Sequence, residues 1–150
     1  MRAMVQRVGS ASVTSDAGER NAISGGLLVY LGVALGDSAE QARMLADKVR
    51  YLRIFEDEAG KLNRDVLDAG GAVLCVSAFT LMADARKGRR PAFIEAAAPE
   101  VANELYQEFC VALGDLGVEV QRGFFRQYMQ VESINDGPIC ILLDTADRRR

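Results

Sequence analysis

Two glycine pairs, Gly25-Gly26 and Gly70-Gly71, each lead into an unbroken apolar segment. Leu27-Leu28-Val29-Tyr30-Leu31-Gly32-Val33 follows the first pair and Ala72-Val73-Leu74-Cys75-Val76 the second, and a third such run, Ile139-Cys140-Ile141-Leu142-Leu143, stands near the C-terminus. None alternates with polar residues, as a strand with one wet face does. Short continuous apolar runs behind turn residues suit strands buried on both faces. Helical signals lie between them. Ser38-Ala39-Glu40-Gln41 matches a capping box, in which serine and glutamine satisfy each other's neighbouring amides. Ala42, Leu45, Val49 and Leu52 then recur at helical spacing, which predicts a helix from about Ala39 to Leu52. Pro99 sits where a helix tolerates proline, and Val101, Leu105, Phe109 and Ala112 give a second helix an apolar stripe ending near Gly114. Further strands are expected at Met4 to Val13, broken near Gly9, at Val118 to Gln121 and at Tyr128 to Ile134. Asp57-Glu58-Ala59-Gly60 and Asn135-Asp136-Gly137-Pro138 are turns by composition. The expected class is a mixed α/β domain with two substantial helices.

The chain has 150 residues, a length that usually makes one domain with a real core. No repeat or Pro/Gly/Ser-rich linker divides it. A single domain over residues 1–147 is expected, with Arg148, Arg149 and Arg150 as a basic tail. No apolar run approaches the roughly 20 residues that cross a bilayer. Met1-Arg2-Ala3-Met4-Val5-Gln6-Arg7 lacks the apolar core of a signal peptide, so a soluble cytoplasmic protein without membrane partners is expected. The net charge of −3 argues against a broad basic face gripping long nucleic acid. It leaves room for a local contact at Arg86, Lys87, Arg89 and Arg90. A solvated loop is the plain alternative there.

The chain contains no histidine and three cysteines. Cys75, Cys110 and Cys140 form no C-x-x-C pair, so the ligands of a structural zinc site are missing. No metal and no cofactor is expected. Cys75 and Cys110 sit in apolar segments and read as buried core thiols. The missing histidine removes Ser-His-Asp and Cys-His catalysis and the commonest general base. Catalysis must then rest on carboxylates, lysine, hydroxyls, backbone dipoles or the substrate itself.

Two segments carry chemical interest. Ser77-Ala78-Phe79-Thr80-Leu81 ends a buried strand and precedes Lys87-Gly88-Arg89-Arg90-Pro91-Ala92-Phe93. Strand-end hydroxyls beside a basic Gly/Pro loop suit a phosphate-bearing ligand. Alone, Ser77 and Thr80 read first as strand-end hydroxyls bonded to local backbone. Asn135-Asp136-Gly137-Pro138 reads as a tight turn joining two strands, or as a site for a cis Gly-Pro bond, which costs only about 0.5–1 kcal/mol before proline.

Taken in order along the chain, these motifs resemble the D-aminoacyl-tRNA deacylase family, also called D-tyrosyl-tRNA deacylases. The resemblance runs through Met1-Arg2-Ala3-Met4-Val5-Gln6-Arg7-Val8, Ala11-Ser12-Val13, Gly26-Leu27-Leu28-Val29, Leu31-Gly32-Val33, Arg53-Ile54-Phe55, Gly60-Lys61-Leu62-Asn63, Ser77-Ala78-Phe79-Thr80-Leu81, Lys87-Gly88-Arg89-Arg90-Pro91-Ala92-Phe93, Met129-Gln130-Val131 and Asn135-Asp136-Gly137-Pro138. It implies a mixed sheet curled towards a barrel, with two main helices packed on it. It implies a homodimer acting on the amino-acid-bearing 3′ end of tRNA, with active sites at the interface. The strand-end residues Ser77, Ala78, Phe79 and Thr80 would serve mainly through backbone amides. A cis Gly137-Pro138 would enter the partner's pocket and exclude L-amino acids. Lys87, Arg89, Arg90 and Met129 would contact RNA, and Arg126, a charge the family pattern lacks, would join them by binding phosphate or else crowd the adenosine. The chain departs from the family pattern where glutamine usually follows the motif serine (here Ala78), where small residues usually follow the phenylalanine matching Phe125 (here Arg126 and Gln127), and where threonine usually stands two residues after the proline (here Cys140). These departures keep two other readings open: a diverged paralogue acting on another mischarged tRNA, and a non-catalytic dimer that binds tRNA ends.

Overall fold

The computed structural model describes residues 1–146; the expected domain end at residue 147 and the tail at Arg148, Arg149 and Arg150 lie outside them. In chain order the elements are β1 (Arg2–Ser15), β2 (Arg20–Ile23), β3 (Gly26–Gly32), α1 (Ala39–Arg50), β4 (Phe55–Glu56), β5 (Leu62–Arg64), β6 (Ala72–Ser77), a 3-10 turn (Phe79–Met82), α2 (Pro99–Asp115), β7 (Val120–Arg122) and β8 (Met129–Asp144). The main sheet runs β2-β1-β3-β6-β7, with β8 along the other edge of β1. β1 is antiparallel to β2, β3 and β8, whereas β6 is parallel to β3 and β7. The sheet curls back on itself: β2 approaches β6 and β7, and the Asn21 side-chain amide donates to the Arg122 carbonyl at 2.7 Å.

This curl explains the unbroken apolar runs. Alternate residues of β3 and β6 serve two different cores. Leu27, Val29, Leu31, Val73 and Cys75 pack with α1 and α2. Leu28, Leu74 and Val76 pack with Val8, Val13 and Ile23 inside the curl. Both faces are dry, so both residue parities are apolar. At the start of β3, Gly26 lies so close to β6 that a Cβ there would sit 1.9 Å from the Ala72 carbonyl oxygen.

α1 starts as the capping box requires: the Gln41 side chain accepts the Ser38 amide at 2.8 Å. In α2 the buried stripe is Leu105, Tyr106, Phe109, Cys110 and Leu113. Val101, expected in that stripe, is exposed, and Ala112 only partly buried. The stripe rotates because Tyr106 takes an inward position and donates its hydroxyl to the Cys75 carbonyl at 2.8 Å. The larger difference is β8. The expected pair of strands joined by a tight turn is one strand, with the Asn135-to-Pro138 segment embedded in it. Its last part is not buried as expected. Leu142 and Cys140 are exposed.

A buried ion pair ties α1 to the loop before β6. Arg50 Nη1 lies 2.6 Å from Asp65 Oδ2, with the side chains 8% and 12% exposed. Burial alone would raise the Asp65 carboxyl. The Asp68 amide, the Arg50 guanidinium and the Leu67 amide outweigh it and hold the group below the ordinary carboxylate range. Because the folded-state pKa is depressed, this stabilisation is present above the unfolded value near 4 and is lost as pH falls through the folded value. Asp65→Ala, which strands a buried guanidinium, is expected to cost about 3–5 kcal/mol at pH 7. Urea midpoints at pH 7 and pH 3 check this: the gap between variant and parent should narrow at pH 3. An equal gap at both pH values would assign the loss to packing.

Candidate active site

β3 and β6 end side by side, with Leu31 paired to Ser77. The Ala78 amide donates to the Leu31 carbonyl at 2.8 Å and carries the parallel ladder one residue further. The chain then tightens into the 3-10 turn, where the Leu81 amide donates to Ala78 and the Ala83 amide to Thr80, each at 3.1 Å. The first amides of such a turn have no acceptor within it. Those of Phe79 and Thr80 have no other intrachain partner among the described residues.

Beside this turn lies a cavity of about 640 Å³, within the usual range for small-molecule sites. Tyr30 and Val33 contribute from the end of β3, residues 76–80 from β6 and the turn, and Ala96, Ala97, Pro99 and Ala102 from the start of α2. Residues 125–129 and Val131 complete it from the approach to β8. The lining is mostly apolar, and Arg126 is its one charged side chain among the described residues. Burial pushes the Tyr30 hydroxyl above its ordinary pKa, so it is a neutral phenol at pH 7. Arg126 adopts φ 60°, a left-handed conformation uncommon outside glycine. A bond from the Gln127 amide to the Phe124 carbonyl at 3.2 Å closes the turn around it.

Of the residues singled out from sequence, Ser77, Ala78, Phe79, Thr80, Arg126 and Met129 meet in this cavity. Lys87, Arg89 and Arg90 do not line it; they are exposed on the following loop. That loop is pinned by paired amide bonds between Asp84 and Ala92 at 2.8 and 2.9 Å and by Phe93 against the Phe79 ring, 5.0 Å between centroids. Arg86 is occupied by Asp84, at 2.9 and 2.7 Å, and holds that carboxyl far below its ordinary range.

Gly137 and Pro138 are also outside this cavity. Their peptide bond is cis. Along β1 and β8, Gln6 pairs with Cys140 and Val8 with Asn135, so residues 136–139 loop out opposite Arg7 alone. Two side chains that the sequence reading did not assign to the site brace this loop. The Arg7 guanidinium, 7% exposed by residue, donates to the Asp136 carbonyl and to the Ile54 carbonyl, each at 2.9 Å, and lies 3.3 Å from the Asp136 carboxylate. Asn135 accepts the Ile139 amide at 2.8 Å and donates to the Ile139 carbonyl at 3.1 Å. A signal for Arg7 existed: it falls in phase with the buried Ala3 and Val5, where an arginine needs a reason. Around the loop, β8 presents an exposed apolar face with Ile134 67% and Leu142 58% exposed.

A family model described as D-Tyr-tRNA(Tyr) deacylase matches residues 4–144. The D-aminoacyl-tRNA deacylase of Anaeromyxobacter dehalogenans is 57% identical over 145 residues, 97% of each chain. That of Thermomicrobium roseum is 53% identical over 149 residues, 99% of this chain and 97% of the relative. Among solved structures, one described as c-Myc DNA Unwinding Element Binding Protein superposes with a TM-score of 0.89 at 40% identity, covering 97% of this chain and 99% of that one. A probable eukaryotic D-amino acid tRNA deacylase shares the fold with a TM-score of 0.79 at 18% identity, covering 95% of this chain and 97% of that one. With a match that spans both the strand-end turn and the looped-out Gly137-Pro138 segment, the chain belongs to the D-Tyr-tRNA(Tyr) deacylase family.

Proposed function

We propose that this protein hydrolyses the ester that joins a D-amino acid to the terminal ribose of tRNA, releasing free D-amino acid and tRNA. The supporting observation is the pairing of unpartnered Phe79 and Thr80 amides with a cavity that has no carboxylate, lysine or histidine in its lining. An aminoacyl ester is already activated. Water attacks the carbonyl carbon, negative charge develops on the carbonyl oxygen, and the ribose oxygen leaves with a proton. Fixing the ester and stabilising that oxyanion suffices. Each well-placed amide is worth about 2.7–4 kcal/mol of barrier.

In this reading the protein works as a cytoplasmic homodimer. The exposed apolar face of β8 meets a second copy, and the partner's looped-out Gly-Pro segment stands across the amino-acid site. There it excludes side chains pointing in the L direction. Glycyl esters, which have no side chain, remain acceptable. Lys87, Arg89 and Arg90 contact the RNA backbone. Sedimentation at micromolar concentration should show a dimer; a monomer alone would remove the chiral mechanism. Single-turnover hydrolysis of matched D- and L-aminoacyl-tRNA tests the activity, with rapid loss of the D-ester only. Ala78 and Arg126 in the lining favour one second reading, a paralogue with shifted amino-acid choice. Hydrolysis of an L-ester in the same assay would select it.

No side chain attacks the ester in this scheme. Thr80→Ala and Cys140→Ala are each expected to keep activity within about tenfold of the parent. A drop of about a thousandfold or more with the fold and dimer intact would indicate covalent catalysis.

A further inference from the structure

The rim residues Arg126 and Tyr128 are not explained by the chemistry of the ester. Tyr128 lines the cavity yet is 69% exposed. Arg126 brings the lining its one charge and has no hydrogen-bond or ion-pair partner among the described residues. Its backbone is left-handed, where glycine costs less. An unpaired guanidinium on a left-handed backbone and an exposed aromatic ring two residues away, both lining one cavity, suit a ligand with a flat face and an anion. Single-stranded nucleic acid is read by such pairs: a base stacks on the ring, and the backbone phosphate meets the cation.

We infer that Tyr128 and Arg126 form a subsite for the nucleotide preceding the terminal adenosine of tRNA, Tyr128 stacking on its base and Arg126 pairing with the phosphate between the two nucleosides. The inference rests on the proposed deacylase activity. The ester must reach the turn at residues 77–80, so the adenosine that carries it occupies the cavity. The next nucleotide therefore passes the mouth. Both residues act on binding and not on the reacting atoms, so their effect belongs in KM and grows with the length of RNA attached.

The test compares full D-aminoacyl-tRNA with 3′-O-D-aminoacyl-adenosine, which keeps the ester and the terminal nucleoside but lacks the phosphate and the preceding base. Tyr128→Ala is expected to raise KM for the tRNA about tenfold more than KM for the short ester, with Tyr128→Phe restoring the parent value. Arg126→Ala is expected to make the dependence of log KM on log salt shallower by about 0.7 for the tRNA, with no matching change for the short ester. In Arg126→Gly the same binding loss should come without a fall in Tm, since the turn is relieved. Equal losses on both substrates, or none on either, would overturn the subsite. Absence of turnover by the unaltered protein on both would instead overturn the deacylase reading, and the subsite with it.

Discussion

A Gly137→Ala variant is expected to lose most of its preference for D- over L-aminoacyl esters while remaining folded. A Cβ at this position would lie 2.8 Å from the Ile139 amide nitrogen and 2.9 Å from Ile139 Cγ1, at a φ of +148° that L-residues rarely adopt. The segment must therefore shift. Its ends cannot share the movement freely, because Arg7 holds the Asp136 carbonyl and Asn135 holds both polar groups of Ile139. The displacement falls on residues 137 and 138, the proposed wall. A wall discriminates by excluding the wrong hand and not by attracting the right one, so its error appears as gained hydrolysis of the L-ester. Misplacement by about 1 Å costs on the order of 100-fold in a catalytic ratio, and the D/L ratio of kcat/KM should fall by about that factor. Arg7→Ala should move the ratio the same way, with an added fall in Tm from the stranded Ile54 carbonyl. An unchanged ratio in both variants, with the dimer intact, would take chiral selection away from this loop.

Gly26→Ala is expected to have the largest effect on stability. The added Cβ would lie 1.9 Å from the Ala72 carbonyl oxygen and 2.6 Å from its amide nitrogen, with φ at +136°. These contacts are with backbone, so no rotamer change relieves them. β3 and β6 must separate where their parallel ladder begins, and the register from Gly26-Ala72 to Leu31-Ser77 transmits the shift to the strand-end turn. A cost above about 4 kcal/mol is expected, set against a typical total of about 5–15. Soluble yield and the urea midpoint give the answer. A midpoint close to the parent's would mean that β3 and β6 can part at Gly26 without loss of the ladder.

The central strands were legible because both their faces are dry, and continuous apolar sequence has few other meanings. β8 was misread for a physical reason. Asn-Asp-Gly-Pro supplies the same backbone freedoms to a tight turn and to a segment bulging out of a continuing strand, and only the ladder with β1 distinguishes them. The exposure of Ile134 and Leu142 was equally hidden, since an apolar residue reads alike whether its neighbour is its own core or another molecule. In the site, Ser77, Ala78, Phe79, Thr80, Arg126 and Met129 converge on one cavity, although the two groups lie far apart in sequence. Their motifs pointed to them through family resemblance, and composition alone did not. The basic loop residues Lys87, Arg89 and Arg90 were visible as charge but not placeable. The brace at Arg7 was overlooked because a lone arginine in a strand reads first as a surface residue.

The loop opposite Arg7 has a further consequence, which concerns counting. Four residues of β8 stand against one of β1, and a second register shift, between Val8 and Ser10, follows directly. The loop's reach is thus set by how many residues separate the two anchored stretches, more than by which residues they are. Removing or adding one residue between Gln6 and Val8 would put one stretch of β1 out of phase with β3, where Arg7 pairs with Leu27, and turn its side chains to the opposite face; between Asn135 and Cys140 the same change would alter the reach of the loop itself. Substitutions along the exposed side of β8 leave that arithmetic untouched. In this part of the chain, length is the constrained quantity, and a shift in the chiral selection proposed for this loop is best sought by changing side chains at fixed spacing.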